Sequence, residues 1–255
     1  MQLNFRRQGQ GQAVIVIHGL FGSLDNLGNL SKALAQQYEV IAIDVRNHGL
    51  SPRCNTMSYH DMAGDVLALI NQLNLEQPFI VGHSMGGKIA MRTAALAPEQ
   101  IQGLVIADMA PVAYPSARHT AVFNGLQAVV DAQSQTRREA EEILRQHVTM
   151  PGVRQFLLKS FIPKDPQIWR FNVPALQENY PDILGWQPLT TPYLGPCLFI
   201  KGGDSDYIQA AHQAQVVQQF PNASAKVITG TGHWLHAEKP QLFNRLVADF
   251  LAKVS

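Results

Sequence analysis

The sequence has little cysteine, little charge and no long apolar run, and each shortage excludes a class of protein. Cys54 and Cys197 are its two cysteines, too few and too isolated for a disulfide framework or a thiolate metal site. Charged residues make up 15% of the chain and the formal net charge is +1, so we expect neither nucleic acid nor a membrane surface as a partner. Residues 1–7 lack the apolar core of a signal peptide, and no run could span a bilayer. A cytoplasmic location is therefore predicted.

The apolar residues that are present, 46% of the 255, fall into short runs separated by helical patterns. Strands are predicted at residues 3–7, 13–17, 40–43, 79–81, 104–107, 197–200 and 226–228. Strands that alternate with helices predict an α/β fold, with a mostly parallel sheet covered by helices on both faces. The alternation stops between Pro111 and Pro188, where helical patterns and aromatic residues dominate. We interpret residues 1–110 and 189–255 as the core and residues 111–188 as an inserted helical cap.

Residues 79–87 carry the most informative motif, Gly-x-Ser-x-Gly between a predicted strand and a predicted helix. This is the context of a nucleophile elbow, in which a sharp turn exposes a serine in a strained backbone conformation. Gly82 and Gly86 would leave room for that turn, since a side chain at either position would collide with it. The motif predicts Ser84 as a nucleophile.

A serine hydroxyl needs a neighbouring base, and the base needs a carboxylate to orient it. His233 follows the last predicted strand on a glycine-rich loop and is the candidate base, with His236 three residues further on as a packing histidine or an alternative. Asp108, Asp204 and Asp206 all lie between Ser84 and His233 in the chain. Chain order alone leaves these three open as the acid.

The oxyanion of a tetrahedral intermediate needs preorganised N–H donors. The residue after the nucleophile, Met85, is the first candidate. The second is Leu20, with Phe21 as its neighbour, in the His18-Gly19 loop after a predicted strand. Both loops would lie at the same edge of the sheet.

Together these segments resemble the α/β-hydrolase superfamily, over essentially the whole chain. The resemblance rests on residues 18–19, 44–51, 82–87 and 232–240; residues 18–27, 46–52, 108–111 and 169–174 are more closely similar to the YbfF-type esterases. In many α/β-hydrolases the acid occupies the position of Ser205. The YbfF-type resemblance instead implies Asp108 as the acid, with Ser205 assisting near the histidine, and acyl esters and thioesters as substrates.

We therefore predict a serine hydrolase of carboxylic esters or thioesters that forms an acyl-enzyme at Ser84 and needs neither cofactor nor metal. Its partner would be a small acyl ester or thioester, and the sequence carries no signal for an oligomeric state. Cofactor-free haloperoxidases, carbon–carbon hydrolases and lyases on the same scaffold are alternatives, and a non-catalytic binding module is a further one. The aromatic residues of the cap are predicted to line the acyl pocket: Phe123, Phe156, Phe161, Trp169 and Trp186.

Overall fold

A computed structural model describes residues 1–115 and 118–254. In chain order the elements are β1 (Phe5–Gln8), β2 (Ala13–Ile17), α1 (Gly28–Leu34), β3 (Glu39–Ile43), α2 (Tyr59–Gln72), β4 (Phe79–His83), α3 (Met85–Leu96), β5 (Gly103–Ala107), α4 (Thr120–Asp131), α5 (Arg137–His147), α6 (Pro151–Leu158), α7 (Val173–Glu178), α8 (Tyr180–Leu184), β6 (Cys197–Gly202), α9 (Gln213–Gln219), β7 (Ala223–Ile228), α10 (Leu235–Glu238) and α11 (Pro240–Val254). Short 3₁₀ turns lie at Pro98–Gln100 and Ala210–His212.

The strands form one sheet in the order β1-β3-β2-β4-β5-β6-β7. β1 runs antiparallel to β3, and the other neighbours are parallel. The predicted α/β fold with a mostly parallel sheet is therefore confirmed. β4, which leads to Ser84, lies between β2 and β5. Because parallel strands end at the same edge of a sheet, the loops after β2, β4 and β5 meet at that edge.

Alternate residues of the central strands pack on opposite faces of the sheet, as the pleat requires. Both faces are apolar and are covered by helices, which explains why these strands appear in the sequence as continuous apolar runs. Ile15, Ile17, Ile80 and Ile106 pack on one face with Met62 of α2 and Ile89 of α3. Val14, Val16, Val81 and Val105 pack on the other with Leu30 of α1 and Phe243 of α11.

Several elements begin or end at other residues than the sequence predicts. The first strand is Phe5–Gln8 instead of residues 3–7, and β7 begins at Ala223, three residues before its prediction. β7 pairs with one neighbour, and its first five residues are not fully buried. Because these residues need not be apolar, the start of the strand lacks the apolar run by which strands were predicted. In the segment between Pro111 and Pro188, where helical patterns dominate the sequence, α6 ends at Leu158, and Phe161 forms an antiparallel bridge with Trp169.

The helices α4 to α8 lie between β5 and β6 in the chain, within the segment interpreted as a cap. Hydrogen bonds join this segment to the rest of the fold. The backbone N–H of Asn172 donates to the carbonyl of Asn47 at 2.9 Å, and the Tyr59 hydroxyl donates to the carbonyl of Ile183 at 2.6 Å. Among the described residues, no helix combines the length and apolar character that crossing a membrane requires.

A buried lysine also joins α3 to the end of α8. Lys88 has no exposed surface, and its ammonium donates hydrogen bonds to the carbonyls of Leu184 at 2.9 Å and Gly185 at 2.8 Å. The rings of Tyr59 and Tyr114 lie 5.4 and 4.8 Å from the ammonium nitrogen. Burial lowers the pKa of Lys88 to about 7, because desolvation penalises the charged form.

We expect this lysine to make the fold more stable as the pH rises above about 7. The unfolded chain keeps Lys88 protonated up to its ordinary pKa of 10.5, so between the two pKa values the unfolded state binds more protons and a higher pH favours folding. From about pH 7 to about pH 9.5 the contribution to the free energy of unfolding would be at most about 3 kcal/mol.

Urea unfolding of the wild type and of Lys88→Met at the two pH values measures this contribution. The wild type should gain stability relative to the variant as the pH rises. Lys32→Met is the matched control, because Lys32 is exposed on α1, and it should show the pH dependence of the wild type. Equal pH dependence in the wild type and Lys88→Met would contradict the expectation.

Candidate active site

Ser84 occupies the turn between β4 and α3 in a backbone conformation that few L-residues adopt. Its φ is 55° and its ψ is −123°, and its N–H donates to the carbonyl of Ala107 at 3.0 Å. A Cβ at Gly82 would lie 2.1 Å from the Gly86 carbonyl oxygen, and one at Gly86 would lie 2.4 Å from that of Ile17. The turn thus has the close backbone approaches that the Gly-x-Ser-x-Gly motif predicts.

The loop after β7 brings His233 to Ser84. His233 Nε2 lies 2.9 Å from the Ser84 hydroxyl oxygen, and Nδ1 lies 2.7 Å from Oδ2 of Asp108. A carboxylate only accepts hydrogen bonds, so Nδ1 carries the proton and Nε2 is left to accept from the serine. The structure therefore brings the three residues into a continuous hydrogen-bonded chain in the order that serine catalysis requires.

Asp108 is completely buried at the end of β5 and has a φ of 50°. Its Oδ1 accepts a hydrogen bond from the Gly202 N–H at 3.0 Å, and the Ser205 hydroxyl donates to Oδ2. These donors, with the imidazole, replace the water that a buried carboxylate loses. Ser205 thus contacts the carboxylate that bonds the imidazole.

The alternative acids lie elsewhere. Asp204 and Asp206 are exposed, and Asp206 forms an ion pair with Arg118. Among the described residues, Asp108 supplies the carboxylate that bonds His233. The geometry therefore favours the acid that the YbfF-type resemblance implies.

Two further histidines pack beside the catalytic loop: His236, predicted as a packing histidine or an alternative base, and His83, for which no role was predicted. His83 Nε2 donates to the carbonyl of His233 at 2.8 Å, and its ring centroid lies 4.7 Å from that of His233. The His236 ring packs against that of His83, with 4.3 Å between the ring centroids. Burial, reinforced by the neighbouring imidazoles, lowers the pKa of His83 well below its ordinary value, and burial lowers the pKa of His236 to about 3. Both rings are thus neutral at pH 7, and His236 does not contact the nucleophile.

Tyr207 is a site residue that sequence reasoning missed. Its ring is stacked on His233 with 3.7 Å between centroids and 13° between planes. The guanidinium carbon of Arg118 lies 4.0 Å from the centroid of the same ring. The position of Tyr207, two residues after Ser205 and close to the predicted site loop, was the available signal. An aromatic face at this distance stabilises an imidazolium.

Both predicted oxyanion donors are placed beside the serine. Met85 is the first residue of α3, so its N–H has no acceptor within the helix. Gly19, which precedes Leu20, lies so close to the elbow that a Cβ there would be 3.1 Å from Ser84 Cβ. Within residues 1–115 and 118–254, the Leu20 N–H meets no acceptor, whereas the Phe21 N–H donates to His48 Nε2 at 3.2 Å. Leu20 and Met85 thus remain available to an oxyanion.

The predicted pocket aromatics occupy different surroundings. Phe123 lies 5.3 Å from the Phe21 ring, and Phe156 lies 5.9 Å from Trp234, the neighbour of His233. The other three have contacts typical of packing residues. Trp169 is completely buried and lies 5.6 Å from Phe161, which is also buried, and Trp186 lies 5.9 Å from Tyr59 and donates to Gln219.

Residues 12–148 match the family described as the alpha/beta hydrolase fold. The chain belongs to the α/β-hydrolase family. This match confirms the predicted membership of the superfamily. The chain is also 44% identical to Esterase YbfF of Escherichia coli strain K12, over 98% of this chain and 99% of that protein. The predicted likeness to the YbfF-type esterases is therefore confirmed as well.

Other relatives agree with this placement. The chain is 37% identical to the sn-1-specific diacylglycerol lipase ABHD11 of Mus musculus, over 94% of this chain and 81% of that protein. The solved structure of a marine microorganism esterase superposes with a TM-score of 0.93 at 36% identity, covering 98% of this chain and 99% of that one. Each of these proteins is named as an esterase or a lipase.

Proposed function

We propose that this chain is a serine esterase in which Ser84, His233 and Asp108 form the catalytic triad and a helical cap covers the site. The assignment to the carboxylic ester hydrolases is confirmed by relatives named esterase and lipase. The observation that carries the residue assignment is the hydrogen-bonded chain from the Ser84 hydroxyl through His233 to Asp108, beside two backbone N–H groups that have no acceptor among the described residues.

The proposed reaction begins when the Ser84 hydroxyl attacks the acyl carbonyl and His233 Nε2 takes its proton. Asp108 holds the proton on Nδ1 and stabilises the imidazolium that forms, and the Tyr207 ring adds its face to that stabilisation. The N–H groups of Leu20 and Met85 donate to the oxyanion. The leaving alcohol departs with the proton from Nε2. Water then attacks the acyl-enzyme with His233 as base, and the acid is released.

We propose that thioesters are substrates as well as esters. The attack, the oxyanion and the acyl-enzyme are the same for both, and only the leaving atom changes from oxygen to sulfur. We further propose that residues 111–188 act as a cap that shapes the acyl pocket, with Phe123 and Phe156 on its wall. A cytoplasmic location is supported by Cys54 and Cys197, which are both free thiols.

A series of aryl esters and CoA thioesters with increasing acyl length tests this proposal. We expect turnover of the esters, with a chain-length preference that shifts in Phe123→Ala and Phe156→Ala. A difference of a few methylenes in the fit of an apolar pocket is worth about 1–3 kcal/mol, so relative kcat/KM between chain lengths should change about 10- to 200-fold.

Trp186→Ala is the matched control, because its ring packs against Tyr59 and Arg92 instead of the site loops. It should leave the chain-length preference of the wild type unchanged. If Phe123→Ala and Phe156→Ala also left it unchanged, these side chains would be packing residues. If the wild type hydrolysed neither the esters nor the thioesters, the proposed substrates would be wrong.

A further inference from the structure

The loop that carries Leu20 has a conformation that requires support. Phe21 has a φ of 62°, in the left-handed region that costs a residue with a Cβ about 1–2 kcal/mol. The loop nevertheless passes directly beside Ser84, so its course determines where the Leu20 N–H points. A strained backbone persists only where its surroundings fix it.

His48 supplies that support from the loop after β3. It has no exposed surface. Its Nε2 accepts the hydrogen bond from the Phe21 N–H at 3.2 Å, and its Nδ1 donates to the carbonyl of Arg46 at 3.0 Å. The two bonds require one tautomer, with the proton on Nδ1. Burial, with the neighbouring His18 as a second cause, lowers the pKa of His48 to about 3, so Nε2 remains an acceptor at neutral pH.

His18 forms a second link between the same two loops, in the opposite direction. Its ring centroid lies 5.1 Å from that of His48. Its Nε2 accepts from the Val45 N–H at 3.1 Å, and its Nδ1 bonds the carbonyl of Gly19 at 2.7 Å. Burial lowers the pKa of His18 as well. The loop after β2 is thus held to the loop after β3 by two neutral imidazoles.

We propose that His48 is a positioning residue for the oxyanion hole: by binding the Phe21 N–H it fixes the turn that directs the Leu20 N–H toward the oxyanion formed at Ser84. The bond also explains which N–H of the loop is available, because in the described part of the chain the Phe21 N–H has an acceptor and the Leu20 N–H has none. This inference rests on the proposed serine esterase mechanism. His48 does not touch substrate, so its effect acts through the backbone of residues 20 and 21.

Three substitutions separate this role from general packing. His48→Leu removes the acceptor and keeps an apolar volume. His48→Gln retains an acceptor near the position of Nε2, whereas the shorter amide of His48→Asn does not reach the Phe21 N–H. We expect kcat to fall about 10- to 100-fold in His48→Leu and His48→Asn, less than the 10²–10³ typical of removing an oxyanion donor outright. His48→Gln should stay within about fivefold of the wild type.

The second readout compares the effect of each variant on substrate binding with its effect on binding of a transition-state analogue. KM for an aryl ester should change little in each variant. The inhibition constant of a trifluoromethyl ketone, which forms a tetrahedral adduct with a serine and so places an oxyanion in the hole, should rise in proportion to the loss of kcat. His60→Leu is the control, because His60 is exposed on α2, and it should match the wild type in all three constants.

Equal activity of the folded Asn and Gln variants would overturn the proposal, and so would a loss of kcat without a parallel rise in the inhibition constant. If His48→Leu fails to fold, the comparison of Asn with Gln decides the outcome. Failure of the esterase mechanism itself would be recognised separately, since the wild type would then hydrolyse no ester. An active wild type with unchanged His48 variants would reject only the role of His48.

Discussion

Replacing Ser84 with alanine should abolish ester hydrolysis and leave the fold intact. Loss of the nucleophile removes the acyl-enzyme route, and the corresponding loss in a well-studied serine protease is about 10⁶ in kcat. Alanine should be accommodated because the elbow already holds a Cβ at a φ of 55°. The measurement is kcat on an aryl ester, with circular dichroism to show that the variant is folded.

Ser31→Ala is the matched control, because Ser31 is buried in α1, far along the chain from the elbow, and its hydroxyl has no hydrogen-bond partner in the described part of the chain. It should retain wild-type turnover. A fluorophosphonate probe should label the wild type and Ser31→Ala but not Ser84→Ala. If folded Ser84→Ala kept near wild-type turnover, the serine mechanism would be ruled out. If the wild type itself were inactive and were not labelled, a non-catalytic binding module would be favoured.

The strands and the elbow were predictable because local sequence determines them. Strands buried on both faces of a parallel sheet are mostly apolar, so β2, β5 and the first three residues of β4 appear as apolar runs. The sharp turn at Ser84 excludes side chains at Gly82 and Gly86, which leaves a visible motif. His233 was predictable for a related reason, since it follows the last strand.

The choice of acid and the supporting residues depend on tertiary structure. Asp108 and Asp206 both follow strands and look alike in the sequence. What separates them is that β5 lies next to β4 in the sheet, which brings Asp108 under the histidine loop while Asp206 stays exposed beside Arg118. His48 and Tyr207 act through contacts with residues distant in the chain. The position of Tyr207 two residues after Ser205 is a signal in the sequence, but it does not show that its ring stacks on His233.

The same dependence on tertiary structure applies to the aromatic residues of the segment between β5 and β6. Composition shows that the segment is aromatic, but a helix presents its residues to several neighbours at once. Trp169 is completely buried, and its indole N–H donates to the carbonyl of Leu126 at 3.3 Å. Phe156 instead reaches the neighbour of His233. Similar residues thus have different surroundings that only packing decides.

Asp108→Asn should be the most damaging conservative change at the site after loss of the serine. In the wild type, Oδ2 of Asp108 accepts from His233 Nδ1 at 2.7 Å. An asparagine amide that presents its N–H₂ group there favours the tautomer with the proton on Nε2, which cannot accept the proton of Ser84. It also supplies no charge to stabilise the imidazolium. The equivalent change in a well-studied serine protease costs about 10⁴ in kcat.

Asp204→Asn and Asp206→Asn are the matched controls, because they make the same chemical change at exposed carboxylates of the neighbouring loop. Asp206 loses only an exposed ion pair with Arg118. Pairs of this kind are worth about 0–1 kcal/mol, so its kcat should stay within about fivefold of the wild type. All three folded variants should be assayed on one ester at saturating substrate. Near-normal turnover in Asp108→Asn, together with collapse in either control, would move the catalytic acid to the loop after Gly202.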